Sequence, residues 1–239
     1  MSDGMNDGIS DETDLKKRKI RSFVVRSGRM TLGQKKGWDD YWGDYGLEMS
    51  DEALDFSVVF GNDHPVVLEI GFGMGASLFE MARTQPELNF IGIEVHRPGV
   101  GALLAMAGDA ELNNLKLYCC DANEVINKGL LDNSLHRVQL FFPDPWHKNK
   151  HHKRRLVQTD FVQRIARKLA AGGVFHLATD WEHYARHMMT VLSAIQNLDN
   201  LAGVGHYSDK PAYRPSTKFE NRGINLGHGV WDLLFERSQ

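Results

Sequence analysis

Residues 140–155, LFFPDPWHKNKHHKRR, put a carboxylate, an indole and a run of cations within a short stretch of chain. Asp144 stands between Pro143 and Pro145. Two prolines stiffen the backbone on either side, so the carboxylate has a fixed aim. Trp146 offers an apolar wall or a stacking face. Five Lys/Arg and three His follow in residues 147–155, too dense a charge for an ordinary turn. Lys150, Lys153, Arg154 and Arg155, with His151 and His152 among them, suit contact with a phosphate backbone. The three histidines alone do not make a metal site, because no acid or Cys is spaced to complete a ligand set. No metal is expected.

A second group of acids follows short apolar runs. Leu68-Glu69-Ile70-Gly71-Phe72-Gly73-Met74-Gly75 ends a strand and opens a helix. Gly71, Gly73 and Gly75 allow a tight turn and close approach of a ligand. The spacing is G-x-G-x-G, not the G-x-G-x-x-G of dinucleotide sites. Glu69, just before the turn, would repel a pyrophosphate but suit a cation such as a sulfonium with an ammonium-bearing tail. Glu94 ends the next strand, where an acid accepts ribose hydroxyls. Asp121 follows the third strand, placed either to accept an adenine amino group or to cap the helix that begins near Ala122. Together these positions, all at C-terminal strand ends, read as a site for S-adenosylmethionine.

The elements that must hold these residues alternate. Expected strands are Val66–Ile70, Phe90–Glu94, Leu115–Cys119, Val138–Phe142, Val174–Ala178 and Val230–Glu236. Expected helices cover Gly75–Arg83, 98–107, Glu124–Lys128, Phe161–Leu169 and Trp181–Ile195, with Gly172-Gly173 as a stop signal. Ser50-Asp51-Glu52 reads as a further helix start. Strands alternating with helices imply an α/β sheet, largely parallel. Asp180, at the end of the fifth strand, is either a ligand or a helix cap. Thr217-Lys218-Phe219-Glu220 fits a capping box and can equally present side chains to a site. Lys210–Ser216, with its two prolines, reads as a mobile loop.

At 239 residues the chain fits one domain plus an arm, divided here as residues 1–36 and 37–239. A net charge of −3 hides an uneven spread, with acids in the first 14 residues and bases at 16–36 and 147–155. Residues 15–36 read as a basic arm able to lie along a phosphate backbone. The two cysteines, Cys119 and Cys120, are adjacent and poorly placed to bridge each other. With no signal-type segment and no long apolar span, a reduced, cytoplasmic protein is expected, with no membrane partner.

The motifs L-E-I-G-F-G-M-G, G-I-E-V-H, F-F-P-D-P-W-H-K, A-T-D-W, T-K-F-E and G-H-G-V-W-D-L-x-F-E-R together resemble the bacterial tRNA (guanine-N7-)-methyltransferases. The resemblance runs from Ile20 to Arg237. It implies a Rossmann-like class I methyltransferase: an open, mostly parallel seven-stranded sheet with helices on both faces, acting as a monomer on tRNA. Glu69, Glu94, Asp121 and Asp144 match methyl-donor contacts, with Asp144 also the catalytic residue. Lys148, Asp180, Thr217, Lys218, Phe219 and Glu220 match positions that hold the target guanosine, and Lys150–Arg155 the RNA-contacting run. The implied reaction methylates N7 of a guanosine in the variable loop. Competing readings are an exocyclic amino-methyltransferase, a non-catalytic RNA-binding module on the same fold, and, remotely, a nicotinamide-dependent dehydrogenase.

Overall fold

The computed structural model describes Ser22, Phe23, residues 28–216, Glu220 and residues 229–238. Eight strands form one sheet: β1 (Gly46–Leu47), β2 (Val66–Ile70), β3 (Asn89–Ile93), β4 (Leu115–Tyr118), β5 (Leu135–Phe141), β6 (Leu169–Thr179), β7 (Leu198–Asn200) and β8 (Trp231–Arg237). Their order is β1-β4-β3-β2-β5-β6-β8-β7. From β1 to β6 every pairing is parallel, and β8 runs antiparallel to both β6 and β7. The count exceeds the expected seven because two-residue β1 adds to the β4 edge, too short to leave a pattern in sequence.

Side-chain alternation splits the interior into two cores, one per face. Leu68 and Ile70 of β2 join a core completed by α6 (Thr159–Lys168), α7 (Glu182–Ser193) and the short α5 (Ala122–Glu124), which continues as a π-helical turn, Val125–Gly129. Val67 of β2 joins the opposite core with α1 (Leu32–Tyr45), α3 (Ala76–Thr84) and α4 (Arg97–Asp109). β2 and β3 are buried at every position, as strands covered on both faces must be.

Three expectations change. The helix start near Ser50 does not form: Ser50 Oγ accepts from the Glu52 N–H at 3.1 Å and closes a turn. The helix there is α2 (Phe56–Phe60), capped by Asp55, whose carboxylate accepts from the Ser57 and Val58 N–H groups. Gly172-Gly173 does not end α6, which stops at Lys168 and passes directly into β6; the pair lies where β5–β6 pairing skips from Leu135↔Leu169 to Arg137↔Val174. The arm boundary at residue 36 falls inside α1, which Thr31 and Gln34 start with a reciprocal capping box. No helix among the described residues is long and apolar enough to cross a membrane.

Candidate active site

The chain leaves β2 toward β3 and β4 on one side and returns to β5 and β6 on the other, so the strand order reverses between β2 and β5. The crevice at such a reversal is where open α/β sheets bind ligands. A cavity of about 240 Å³ opens there, lined by Gly71, Glu94, Asp121 and Phe142-Pro143-Asp144 among others. Four strand ends thus contribute to one space.

The glycine turn after β2 has three residues at positive φ: Gly71 at 77°, Gly73 at 60° and Gly75 at 78°. A side chain at these positions would be strained. Glu94 secures the turn: one oxygen accepts from the Gly73 N–H at 2.9 Å, and the other from the N–H groups of Val95 and His96 at 2.6 and 2.9 Å. α4 presses against the same turn through Gly99, where a Cβ would lie 1.9 Å from the Gly73 carbonyl oxygen.

Glu69 is 3% exposed. Its Oε2 has no hydrogen-bond partner among the described residues. Burial first, and the nearby Glu94 second, push its carboxyl up to about 8, against the pull of Arg137. An isolated buried acid of this kind is stabilised by an incoming cation. Asp121 settles part of the choice left open by sequence: its Oδ1 caps α5, accepting from the Asn123 N–H at 2.9 Å, while the residue still lines the cavity.

Asp144 is exposed at the cavity mouth. The backbone on either side is bent into the left-handed region, with Phe142 at φ 50° and Trp146 at φ 48°. Each such residue costs on the order of 1–3 kcal/mol and persists only if its surroundings hold it. Phe142 N–H donates to the Ala178 carbonyl of β6 at 2.8 Å. Arg155 Nε donates to the Pro145 carbonyl at 2.8 Å. The Trp146 ring lies 3.9 Å from the Arg154 guanidinium, and its Nε1–H donates to the Ser22 carbonyl at 3.2 Å. Ser22 and Phe23, from the basic arm, also line the cavity.

The cationic run folds as a 3₁₀ helix, Asn149–Arg154. Side chains three apart eclipse in this geometry, so the run sorts into rows. Lys150 and Lys153 face out, and among the described residues no carboxylate pairs with either or with Lys148. His151 and Arg154 lie against Trp146. His152 and Arg155 face in. Arg155 departs from the expectation of RNA contact: it is 2% exposed, reaches His152 Nε2 and His183 Nδ1 at 3.1 and 3.2 Å, and lies over the Tyr184 ring.

Asp180 does not cap α7. Trp181 occupies the cap position, its N–H donating to Thr179 Oγ1 at 3.2 Å, which leaves the half-buried Asp180 carboxylate outside the cap. Thr217, Lys218 and Phe219 lie outside the described residues. Glu220 is 3% exposed and gripped by Arg214. Among the described residues no group of three His, Cys, Asp or Glu side chains could hold a metal ion.

A protein-family profile described as a putative methyltransferase matches residues 63–233, from just before β2 into β8. The tRNA (guanine-N(7)-)-methyltransferase of Shewanella amazonensis is 59% identical over 220 residues, 92% of each chain. That of Shigella boydii is 57% identical over 235 residues, 97% of this chain and 98% of its own. The chain belongs to the tRNA (guanine-N7-)-methyltransferase family. A solved 16S rRNA methyltransferase, KamB, shares the fold with a TM-score of 0.58 at 15% identity, covering 81% of this chain and 96% of its own.

In this member of the tRNA (guanine-N7-)-methyltransferase family, the sequence reading missed a polar row beside the crevice. Glu69, Gln139 and His176 are register partners on β2, β5 and β6, so their side chains share one face. All three are buried, and neither polar atom of the Gln139 side chain has a partner among the described residues. Arg137, two residues before Gln139, stacks 3.9 Å from the Tyr213 ring on that face. Asp232 of β8 extends the row by accepting from His176 Nε2 at 2.7 Å. The signal available was polar residues at alternate positions of otherwise apolar strands, Arg137 and Gln139 in LHRVQLF and Asp232 in WDLLFER.

Proposed function

We propose that this protein transfers the methyl group of S-adenosylmethionine to N7 of a guanosine in the variable loop of tRNA, giving N7-methylguanosine and S-adenosylhomocysteine. The observation that carries the reading is the continuity of one wall: the turn that brings Asp144 to the cavity runs directly into the outward-facing Lys150 and Lys153. Family membership agrees with it.

The residues present fit the donor. Glu69, buried with an unpartnered oxygen, suits a cationic group. Gly71, Gly73 and Gly75 leave three positions of the turn without side chains, Glu94 and Asp121 bring acceptors to the cavity, and Asp144 stands at its mouth. When bound, S-adenosylmethionine supplies an electrophilic methyl group on a sulfonium.

Guanine N7 carries a free lone pair, so the protein need not supply a strong base. Its tasks are alignment and charge. Methylation leaves the purine cationic, and a carboxylate near the ring both accepts from the N1–H and N2–H₂ donors and offsets that charge. Asp144, rigid in its backbone, suits this role, with Asp180 at the adjacent strand end. Lys148, Glu220 and the segment Thr217-Lys218-Phe219 complete the guanosine side. Lys150, Lys153 and the Trp146-stacked Arg154, with His151, meet the phosphate backbone. The reading carries a cytoplasmic location and action as a monomer.

The test is methylation of bulk tRNA lacking this modification, followed by digestion to nucleosides and mapping of the modified base. N7-methylguanosine in the variable loop is expected. An exocyclic N-methyl product, or no product with bound donor, would overturn the assignment.

A further inference from the structure

Arg214 is the largest wholly buried side chain among the described residues, and it sits in a proline-flanked segment rather than in a helix or strand. Its NH1 donates to Glu220 Oε2 at 2.9 Å and its NH2 to Oε1 at 3.1 Å, a forked grip on one carboxylate. The same NH2 donates to Asp232 Oδ2 at 2.9 Å, and Nε makes an ion-pair contact of 2.8 Å with Oδ1. One cation therefore joins two buried acids from separate parts of the chain.

Each partner is itself anchored. Asp232 lies in β8, opposite Ala178 of β6. It accepts from His176 Nε2, and the Tyr213 hydroxyl lies 2.9 Å from His176 Nδ1, an arrangement that a neutral imidazole with its proton on Nε2 satisfies. Burial lowers the His176 pKa and agrees with that form. Lys210 adds a second cation 3.2 Å from Glu220. Burial alone would raise the Glu220 carboxyl, but Arg214 and Lys210 hold it below the ordinary range, so it stays ionised. The guanidinium carbon is 5.8 Å from the ring centres of both Phe141 and Phe142, the residues that lead into the Asp144 turn.

Packing alone does not call for an arginine here. Apolar side chains of similar volume fill such a space at equal or better stability, whereas a buried charge must be matched on every side. A forked donor spanning two acids fixes direction, which a reaction needs and a core does not.

We propose that Arg214 is a positioning residue for the methyl transfer, setting the Glu220 carboxylate for the target guanosine and fastening it, through Asp232, to β8 while lying against Phe141 and Phe142, which lead into the Asp144 turn. The proposal rests on the reading of Glu220 as a guanosine contact. Arg214 touches neither reactant in this role and acts through the two acids.

The experiment compares the wild type with R214K, E220Q and the double variant, measuring tRNA-methylation kinetics, donor affinity and thermal midpoint. R214K keeps the charge but loses the fork. Its kcat/KM for tRNA is expected to fall roughly ten- to a hundredfold, the scale of a misplaced contact group. Donor affinity should stay unchanged, and the double variant should be no worse than E220Q, because the two residues act as one unit. Losses that multiply in the double variant would overturn the proposal. So would a lowered thermal midpoint whose folded fraction accounts for the whole kinetic loss. Impaired E220Q with unimpaired R214K would overturn the proposal alone, and unimpaired E220Q would overturn the Glu220 reading together with it. Where R214K does not fold, D232N loosens the same guanidinium at constant volume and is judged by the same outcomes.

Discussion

Asp144 combines an exposed carboxylate with a constrained backbone, and that pairing separates chemistry from binding. D144A leaves the outward lysines in place. Methyl transfer is expected to fall by about 10²–10³-fold, the scale of a lost preorganised charge, while filter binding of tRNA stays near wild type. Glu69 makes a different prediction. Its carboxyl, raised to about 8, is protonated at neutral pH, yet a cationic ligand favours its ionised form. Donor binding should therefore release a proton and tighten as pH rises toward 8. Calorimetry in buffers of different ionisation enthalpy reads that proton directly. In the absence of donor the sign for stability is opposite. The folded state holds this proton above the ordinary carboxylate range, so Glu69's contribution to stability declines as pH rises from the mid-4s to about 8. The acids were legible in sequence because they sit at strand ends. Arg214 was not, because nothing local in AYRPST marks a side chain bound to residues on β8 and beyond.

The 3₁₀ helix shows why a charge run cannot be read as a list. Composition treats Lys150 to Arg155 alike, but a three-residue period sends Lys150 and Lys153 outward and turns Arg155 to the Pro145 carbonyl and Tyr184. Replacing both lysines with alanine should weaken tRNA binding and flatten the log–log salt slope by about 2, near one per phosphate contact. R155A should leave that slope unchanged. It should instead cost on the order of 3 kcal/mol of stability, as loss of a buried, hydrogen-bonded cation does. Salt-titrated binding and thermal melting separate the two. The elements around the glycine turn were legible for the reverse reason: β2 and β3 are short, mostly apolar runs, and their ends are marked by glycine and acid.

Across the whole molecule, alternation of strands and helices made the parallel sheet readable from β2 to β6. β1 and β7 escaped because two or three residues carry no period. The direction of β8 escaped because an apolar run has the same appearance whichever way it pairs; only register with β6 fixes it. The polar row from Glu69 to Asp232 escaped because its members are adjacent only after four strands have assembled. β8 supplies the row's last acid and pairs with both β6 and β7. A chain ending before Trp231 should still order the glycine turn and bind donor, since every residue assigned to that task precedes it, but should not methylate tRNA. Donor titration and methylation assays on that truncation test both halves.

That late strand also sets a timetable for biosynthesis. A ribosome releases the crevice-lining segments first, and they find their neighbours over short stretches of chain. Arg214 emerges without the acid that anchors it. Asp232 follows, and Trp231–Arg237 must then close a pairing across the whole loop that began at Asp180, a slow step by its separation along the chain. Until that closure the Arg214 that grips Glu220 lacks its Asp232 anchor. A chain that lacks Trp231–Arg237 is therefore expected to be inert toward tRNA.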